Sequence, residues 1–204
     1  SDRWGRNQLG GVPPKGYADW AWVQHMLTSA DSKTGRVAVV LPQGALFRQG
    51  AEARIRGHIL KAKKVEAVIG LAPNLFYGTG LAACVLILRH QRPADQQDKV
   101  LFINGEDLMK KGRNQNTLET EHATKLFDAY RGFTDIKGRA HVADLADIER
   151  NAFNLNIPLY VAPTDTGEQV TLADALANLE AAHERAKETR AALEAELAQW
   201  GLSA

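Results

Sequence analysis

Residues that commonly carry enzymatic chemistry are few in this 204-residue chain, and their spacing does not serve it. Six histidines, at positions 25, 58, 90, 122, 141 and 183, lack ligand spacing, and no H-E-x-x-H helix is present, so no metal site can be argued. Serine occurs only at Ser1, Ser29, Ser32 and Ser203, with no G-x-S-x-G turn, which leaves serine-hydrolase chemistry little to work with. The only cysteine, Cys84, sits in the most apolar run of the chain, where a thiol is usually inert packing. A single cysteine also rules out an intrachain disulfide and fits a reducing, cytoplasmic setting. There is no P-loop, and Gly78-Thr79-Gly80 reads as a turn rather than a dinucleotide fingerprint. These residues alone contain no complete active site.

Charge says more than nucleophiles do. The formal net charge is +1, which by itself suggests no partner. By segment, residues 1–64 hold 11 basic and 4 acidic side chains, whereas residues 141–204 hold 4 and 11. The first segment includes Arg3, Arg6, Lys15, Arg48, Arg54, Arg56, Lys61, Lys63 and Lys64. Such residues give sequence-independent, salt-sensitive affinity for phosphate. Arg48 is the first candidate because it follows an apolar strand through a Pro-Gly loop, where α/β sheets place their ligands. For Lys61, Lys63 and Lys64 a solvated helix face is the simpler reading. The acidic end should be repelled by phosphate and suits a protein partner better.

The elements that position these residues follow from periodicity. Trp20, Val23 and Leu27 recur at helical spacing between Tyr17 and Ala30. The run Arg36 to Leu41 is a buried strand, closed by Pro42-Gln43-Gly44. A second helix spans about 51–63, a second strand Val65–Ile69, a third Ala82–Leu88 and a fourth Val100–Ile103. This order predicts an α/β fold with an antiparallel hairpin at the sheet edge. Residues 105–150 read as mainly helical, with Ala123, Leu126, Phe127 and Tyr130 as the apolar stripe, and 154–161 as a short extended piece. Pro163 to Gly167 is the best linker candidate. The resulting division is 1–104, a helical extension over 105–162, and 163–204.

Beyond the linker, Leu172, Leu176, Leu179, His183, Ala186, Arg190, Leu193, Leu197 and Trp200 alternate in steps of four and three, the a/d spacing of a coiled coil. So narrow an apolar stripe needs a surface to lie against: either its own domain or a partner chain. No apolar run reaches the roughly 20 residues that would span a bilayer, and no signal peptide is visible. Membrane attachment is not expected.

Three segments in order, VPPKGYADWAWVQHML (Val12–Leu27), GRVAVVLPQGALFR (Gly35–Arg48) and VEAVIGLAPNLFYGTG (Val65–Gly80), resemble the adenine-specific N6 DNA methyltransferases. The modification subunit of type I restriction-modification systems is the nearest likeness. Weaker echoes at Val100–Asn104 and Asn154–Ile157 extend it over most of residues 3–161. The resemblance implies a partial Rossmann-like methyltransferase sheet, a helical extension and a long C-terminal helix. It implies methyl transfer from S-adenosylmethionine to the exocyclic N6 of an adenine extruded from the duplex.

The family binds S-adenosylmethionine through a glycine-rich strand-to-helix turn and acts through an Asn/Asp-Pro-Pro-Tyr/Phe tetrapeptide. Both lie earlier in the family's chain than the segments matched here. Pro13-Pro14 is flanked by Val12 and Lys15, which offer neither an acceptor for the adenine amino group nor a ring. The chain is therefore expected to be the C-terminal part of such a subunit, inactive alone, with no catalytic or cofactor-binding residue of its own. The alternative is a non-catalytic, methyltransferase-like assembly module that presents a helical tail.

In the family, an aromatic residue just before the last apolar hairpin stacks on the flipped base. Phe76 is the matching position, with Tyr77 as the alternative; Phe76 could equally be ordinary core at a strand boundary. The implied partners are double-stranded DNA, reached through Arg48, Arg3, Arg6 and Lys15, and the specificity and restriction subunits of the same system. Leu172, Leu176, Leu179, Leu193, Leu197 and Trp200 are the expected docking residues.

Overall fold

A computed structural model of the chain describes residues 2–162 and 171–200. The chain divides into two compact units, Ser1–Thr164 and Asp165–Ala204.

In the first unit, period-two alternation along the strands separates two cores, one on each face of a sheet. Strands β1 (Arg36–Pro42), β2 (Val65–Gly70), β3 (Ala83–Arg89), β4 (Lys99–Ile103) and β5 (Ala140–Asp144) form one sheet in the order β1-β3-β2-β4-β5. Cys84, Leu86 and Leu88 of β3, with Val100 and Phe102 of β4, face one core. Ala83 and Ile87 of β3, with Leu101 and Ile103 of β4, face the other. Helices α1 (Asp19–Ser29), α2 (Ala51–Lys61) and α4 (Leu145–Arg150) cover the first face through Trp20, Val23, Leu27, Ile55, Ile59 and Ile148. Helix α3 (Thr120–Gly132) covers the second through Leu126 and Ala129.

The pairing fixes where loops meet. β3 runs antiparallel to both β1 and β2, and β4 runs parallel to β2. Hence β1, β2 and β4 all end at the same edge of the sheet, the edge where open α/β sheets bind ligands.

Four expectations change. The third and fourth strands do not pair with each other: β3 is inserted between β1 and β2, and the antiparallel pair at the sheet edge is β4 with β5. Residues 105–150 are not all helical, because Ala140–Asp144 joins the sheet; this places the segment 105–162 in the same sheet as residues 1–104. The 154–161 piece is a 3-10 turn at Ile157–Leu159, where Tyr160 stacks on Phe102 with ring centroids 3.9 Å apart. The stripe of α3 is His122, Leu126 and Ala129, while Phe127 is exposed.

In the second unit, α5 (Leu172–Gln199) is a single 28-residue helix. Thr171 caps it, its Oγ1 accepting from the Asp174 N–H at 3.2 Å, and Asp174 reaches back in a capping box. None of its residues is buried. The linker expected at Pro163 to Gly167 lies outside the described residues.

Candidate target-base face

Three loops leave the sheet at the end where β1, β2 and β4 finish. The loop after β2 carries the sequence's aromatic candidates. Gly78, at φ +77°, turns the chain so that Phe76 and Thr79 pair across an antiparallel bridge. The Asn74 N–H donates to the Gly80 carbonyl at 3.3 Å and closes the base of this small hairpin. Phe76 is 42% exposed and Tyr77 94% exposed, so neither belongs to the core. Holding two aromatic rings and Leu81 toward water on this turn gains nothing for folding. It is the arrangement a stacking platform needs.

The loop after β4 grips the residues just before Phe76. The Asn116 N–H donates to the Asn74 carbonyl at 2.8 Å, and the Asn116 side-chain amide donates to the Pro73 carbonyl at 2.9 Å. Gln115 donates to the Leu75 carbonyl at 2.6 Å, and Asn74 returns a bond to the Asn114 carbonyl at 3.3 Å. The gripping loop is itself closed by paired Lys110 and Thr117 backbones. Its turn is so tight that a Cβ at Gly112 would lie 2.0 Å from the Gln115 carbonyl oxygen. Farther back, Arg139 holds the loop's start through the Asn104 carbonyl at 2.7 Å and both Asp107 carboxylate oxygens. That guanidinium keeps the Asp107 carboxyl below the usual carboxylate range.

The loop after β1 holds Arg48, which is placed otherwise than the sequence suggests. Its guanidinium pairs with Asp19 of α1 and takes Glu52 of α2 in two bonds of 2.7 and 3.2 Å. Tyr17 lies 4.7 Å from it, ring centroid to Cζ. Glu52 is buried, so Arg48 neutralises an interior carboxylate and ties α1 to α2. It is a latch within the protein rather than a cation held out for phosphate. Hydrogen bonding to Glu52 raises its pKa further.

Much of the basic N-terminal segment is engaged in similar ways. Arg56 is fully buried, donating to the carbonyls of Phe153, Ala45 and Arg48, and burial pulls it down to about 10. Arg54 donates to the Gly10 carbonyl at 3.0 Å, Lys61 pairs with Glu149, and Lys63 with Asp98. Arg3, Arg6 and Lys15 are exposed and form no ion pair among the described residues; Arg3 lies over the Trp4 ring.

Cys84 is buried and donates to the Leu41 carbonyl, and burial pushes its thiol up to about 12, which removes it as a nucleophile. No cluster of three metal-ligating side chains occurs among the described residues. No described helix is long and apolar enough to cross a membrane.

Residues 1–169 match the family model described as N-6 DNA Methylase. The chain belongs to the N-6 DNA methylase family. It is 40% identical over 182 residues to the Type I restriction enzyme MjaVII methylase subunit of Methanocaldococcus jannaschii, covering 88% of this chain and 31% of that protein. It is 30% identical over 196 residues to the HindI methylase subunit of Haemophilus influenzae, covering 92% and 44%. Among solved structures, the methyltransferase subunit of a type I restriction-modification system from Streptococcus thermophilus superposes with a TM-score of 0.73 at 37% identity, over 76% of this chain and 32% of that one. The chain thus spans about a third to under half of the length of these relatives.

The family's use of S-adenosylmethionine raises the question of a cradle for it here. Pro42-Gln43-Gly44 after β1 is a glycine-bearing strand-to-turn junction, and it does not fit. A Cβ at Gly44 would lie 2.8 Å from the Arg48 guanidinium, so the space above that glycine is filled. The Ala45 carbonyl in the same turn is taken by Trp20 Nε1 at 2.9 Å and by Arg56.

Sequence reasoning missed the gripping loop. Its signal was the run Lys110-Lys111-Gly112-Arg113-Asn114-Gln115-Asn116, rich in amides and with a glycine.

Proposed function

We propose that this chain forms the target-base side of an adenine-N6 DNA methyltransferase subunit in a type I restriction-modification complex. The observation that carries the reading is the exposed Phe76-Tyr77 pair on its glycine turn, at the ligand edge of a sheet whose family is N-6 DNA methylase. Phe76 stacks on the extruded adenine and Tyr77 flanks it. A ring face contributes about 1–3 kcal/mol of stacking per base, which offsets part of the cost of unstacking and unpairing. Arg3, Arg6 and Lys15 neutralise backbone phosphates and draw the duplex to this edge.

Other parts of the subunit supply the S-adenosylmethionine site and the Asn/Asp-Pro-Pro-Tyr/Phe tetrapeptide. β1 supports this division. Among the described residues it pairs only with β3, leaving its outer side open to another strand, and Val40 on it is 52% exposed. By this reading these 204 residues transfer no methyl group by themselves.

The exposed apolar stripe of α5 docks on the specificity subunit. Leu172, Leu176, Leu179, Leu193 and Trp200 are all more than half exposed, and a long helix gains most of its stability by burying such a face. The restriction subunit joins the same assembly. The reading is tested by following label from S-adenosylmethionine into duplex adenine. The whole subunit with its specificity subunit should transfer label to N6, and the 204-residue chain alone should not; label on cytosine, or none from the full assembly, would overturn it.

A further inference from the structure

We propose that the loop between Lys110 and Thr117 is a phosphate clamp, in which Lys111 and Arg113 bind the DNA backbone beside the extruded base. The inference rests on Phe76 being the base-stacking ring and adds a second, cationic function to that face. Lys110 is paired with Glu119 at 2.8 Å, and Glu119 caps α3, so this lysine tethers the loop. Lys111 and Arg113 are exposed and form no hydrogen bond or ion pair among the described residues. The loop thus holds two cations in water, two positions apart in sequence.

What makes the pair more than scattered surface charge is the attachment of its loop. Four hydrogen bonds, all between 2.6 and 3.3 Å, join residues 114–116 to residues 73–75, which immediately precede Phe76. All four acceptors are backbone carbonyls; one donor is the Asn116 backbone N–H and the other three are the side-chain amides of Asn74, Gln115 and Asn116. The clamp and the stacking ring therefore move as one body. A base turned out of a duplex leaves its flanking phosphates near the pocket mouth, within reach of a cationic loop fixed to the pocket wall.

The chemistry recognised is the phosphodiester backbone, without base preference. A generic fluorescein-labelled duplex is therefore the right probe, titrated against the whole subunit assembled with its specificity subunit over a series of salt concentrations. Each lost phosphate contact should make the slope of log affinity against log salt shallower by about 0.9. The double variant Lys111→Gln/Arg113→Gln should lower affinity and reduce the slope by about 1–2. Lys111→Arg/Arg113→Lys should restore it, and Lys99→Gln, at the opposite end of β4, should leave the slope as it was. An unchanged slope in the double variant overturns the clamp. If Phe76→Ala still lowers methyl transfer in that case, the base-side reading survives without the clamp; if Phe76→Ala is also silent, both fall.

Discussion

Asn116 holds Asn74 by a backbone hydrogen bond of 2.8 Å while its side chain reaches Pro73 at 2.9 Å, so the loop after β4 sets the position of the loop after β2. The two residues stand 42 positions apart in sequence and are brought together only because β2 and β4 are parallel neighbours. Phe76 inherits its placement from this contact.

Asn116→Ala removes the bond to Pro73 and Gln115→Ala the bond to Leu75. Each should cost about 0.5–1.5 kcal/mol of stability, and together they should loosen the Phe76 turn. In the assembled methyltransferase the double variant should lower kcat with little change in the salt dependence of DNA binding. Steady-state kinetics beside binding titrations separates the two. A changed salt slope with normal kcat would mean that these amides touch DNA rather than position the ring.

Arg48→Ala leaves the buried Glu52 carboxylate without its cation, which should destabilise the protein by about 3 kcal/mol. Urea unfolding measures this directly. Loss of DNA affinity in a variant of unaltered stability would return Arg48 to the phosphate-binding set.

Burial holds the Cys84 thiol protonated up to about 12, whereas an unfolded cysteine ionises near about 8.5. The folded pKa is the higher one, so this contribution to stability is complete below about 8.5 and is lost as pH rises from there toward 12. Cys84→Ala should flatten stability over that window. Iodoacetamide should label native Cys84 only at the rate of opening, and rapid labelling of the folded protein would contradict the buried placement.

Removing residues 164–204 takes away α5 and its exposed leucines. The truncated subunit should no longer co-purify with the specificity subunit, while keeping its own cooperative unfolding. Unchanged co-purification would exclude α5 as the docking element.

Apolar runs with a clear period were legible in the sequence: α1, α2 and β1 through β4 follow from Trp20, Val23, Leu27, Ile55, Ile59 and the strand alternation. β5 was not, because Ala140–Asp144 is short, half-buried and interrupted by His141, and it becomes a strand only by pairing with β4. The insertion of β3 between β1 and β2 was equally hidden, since pairing order is a tertiary property. At the site, Phe76 and Tyr77 could be singled out from their neighbours in sequence. The fate of Arg48 could not, because Asp19 and Glu52 reach it only after α1 and α2 pack. The same holds for Gln115 and Asn116, whose acceptors are backbone carbonyls of another loop.

In the proposed function, Phe76 is the ring that receives the flipped adenine. Phe76→Ala in the whole subunit, assembled with its specificity subunit, should lower methyl transfer about tenfold or more, in keeping with the loss of about 1–3 kcal/mol of stacking. Its affinity for S-adenosylmethionine should stay unchanged, and Phe76→Trp should restore transfer. Equal losses of transfer and of S-adenosylmethionine affinity, or wild-type transfer by Phe76→Ala, would contradict the account.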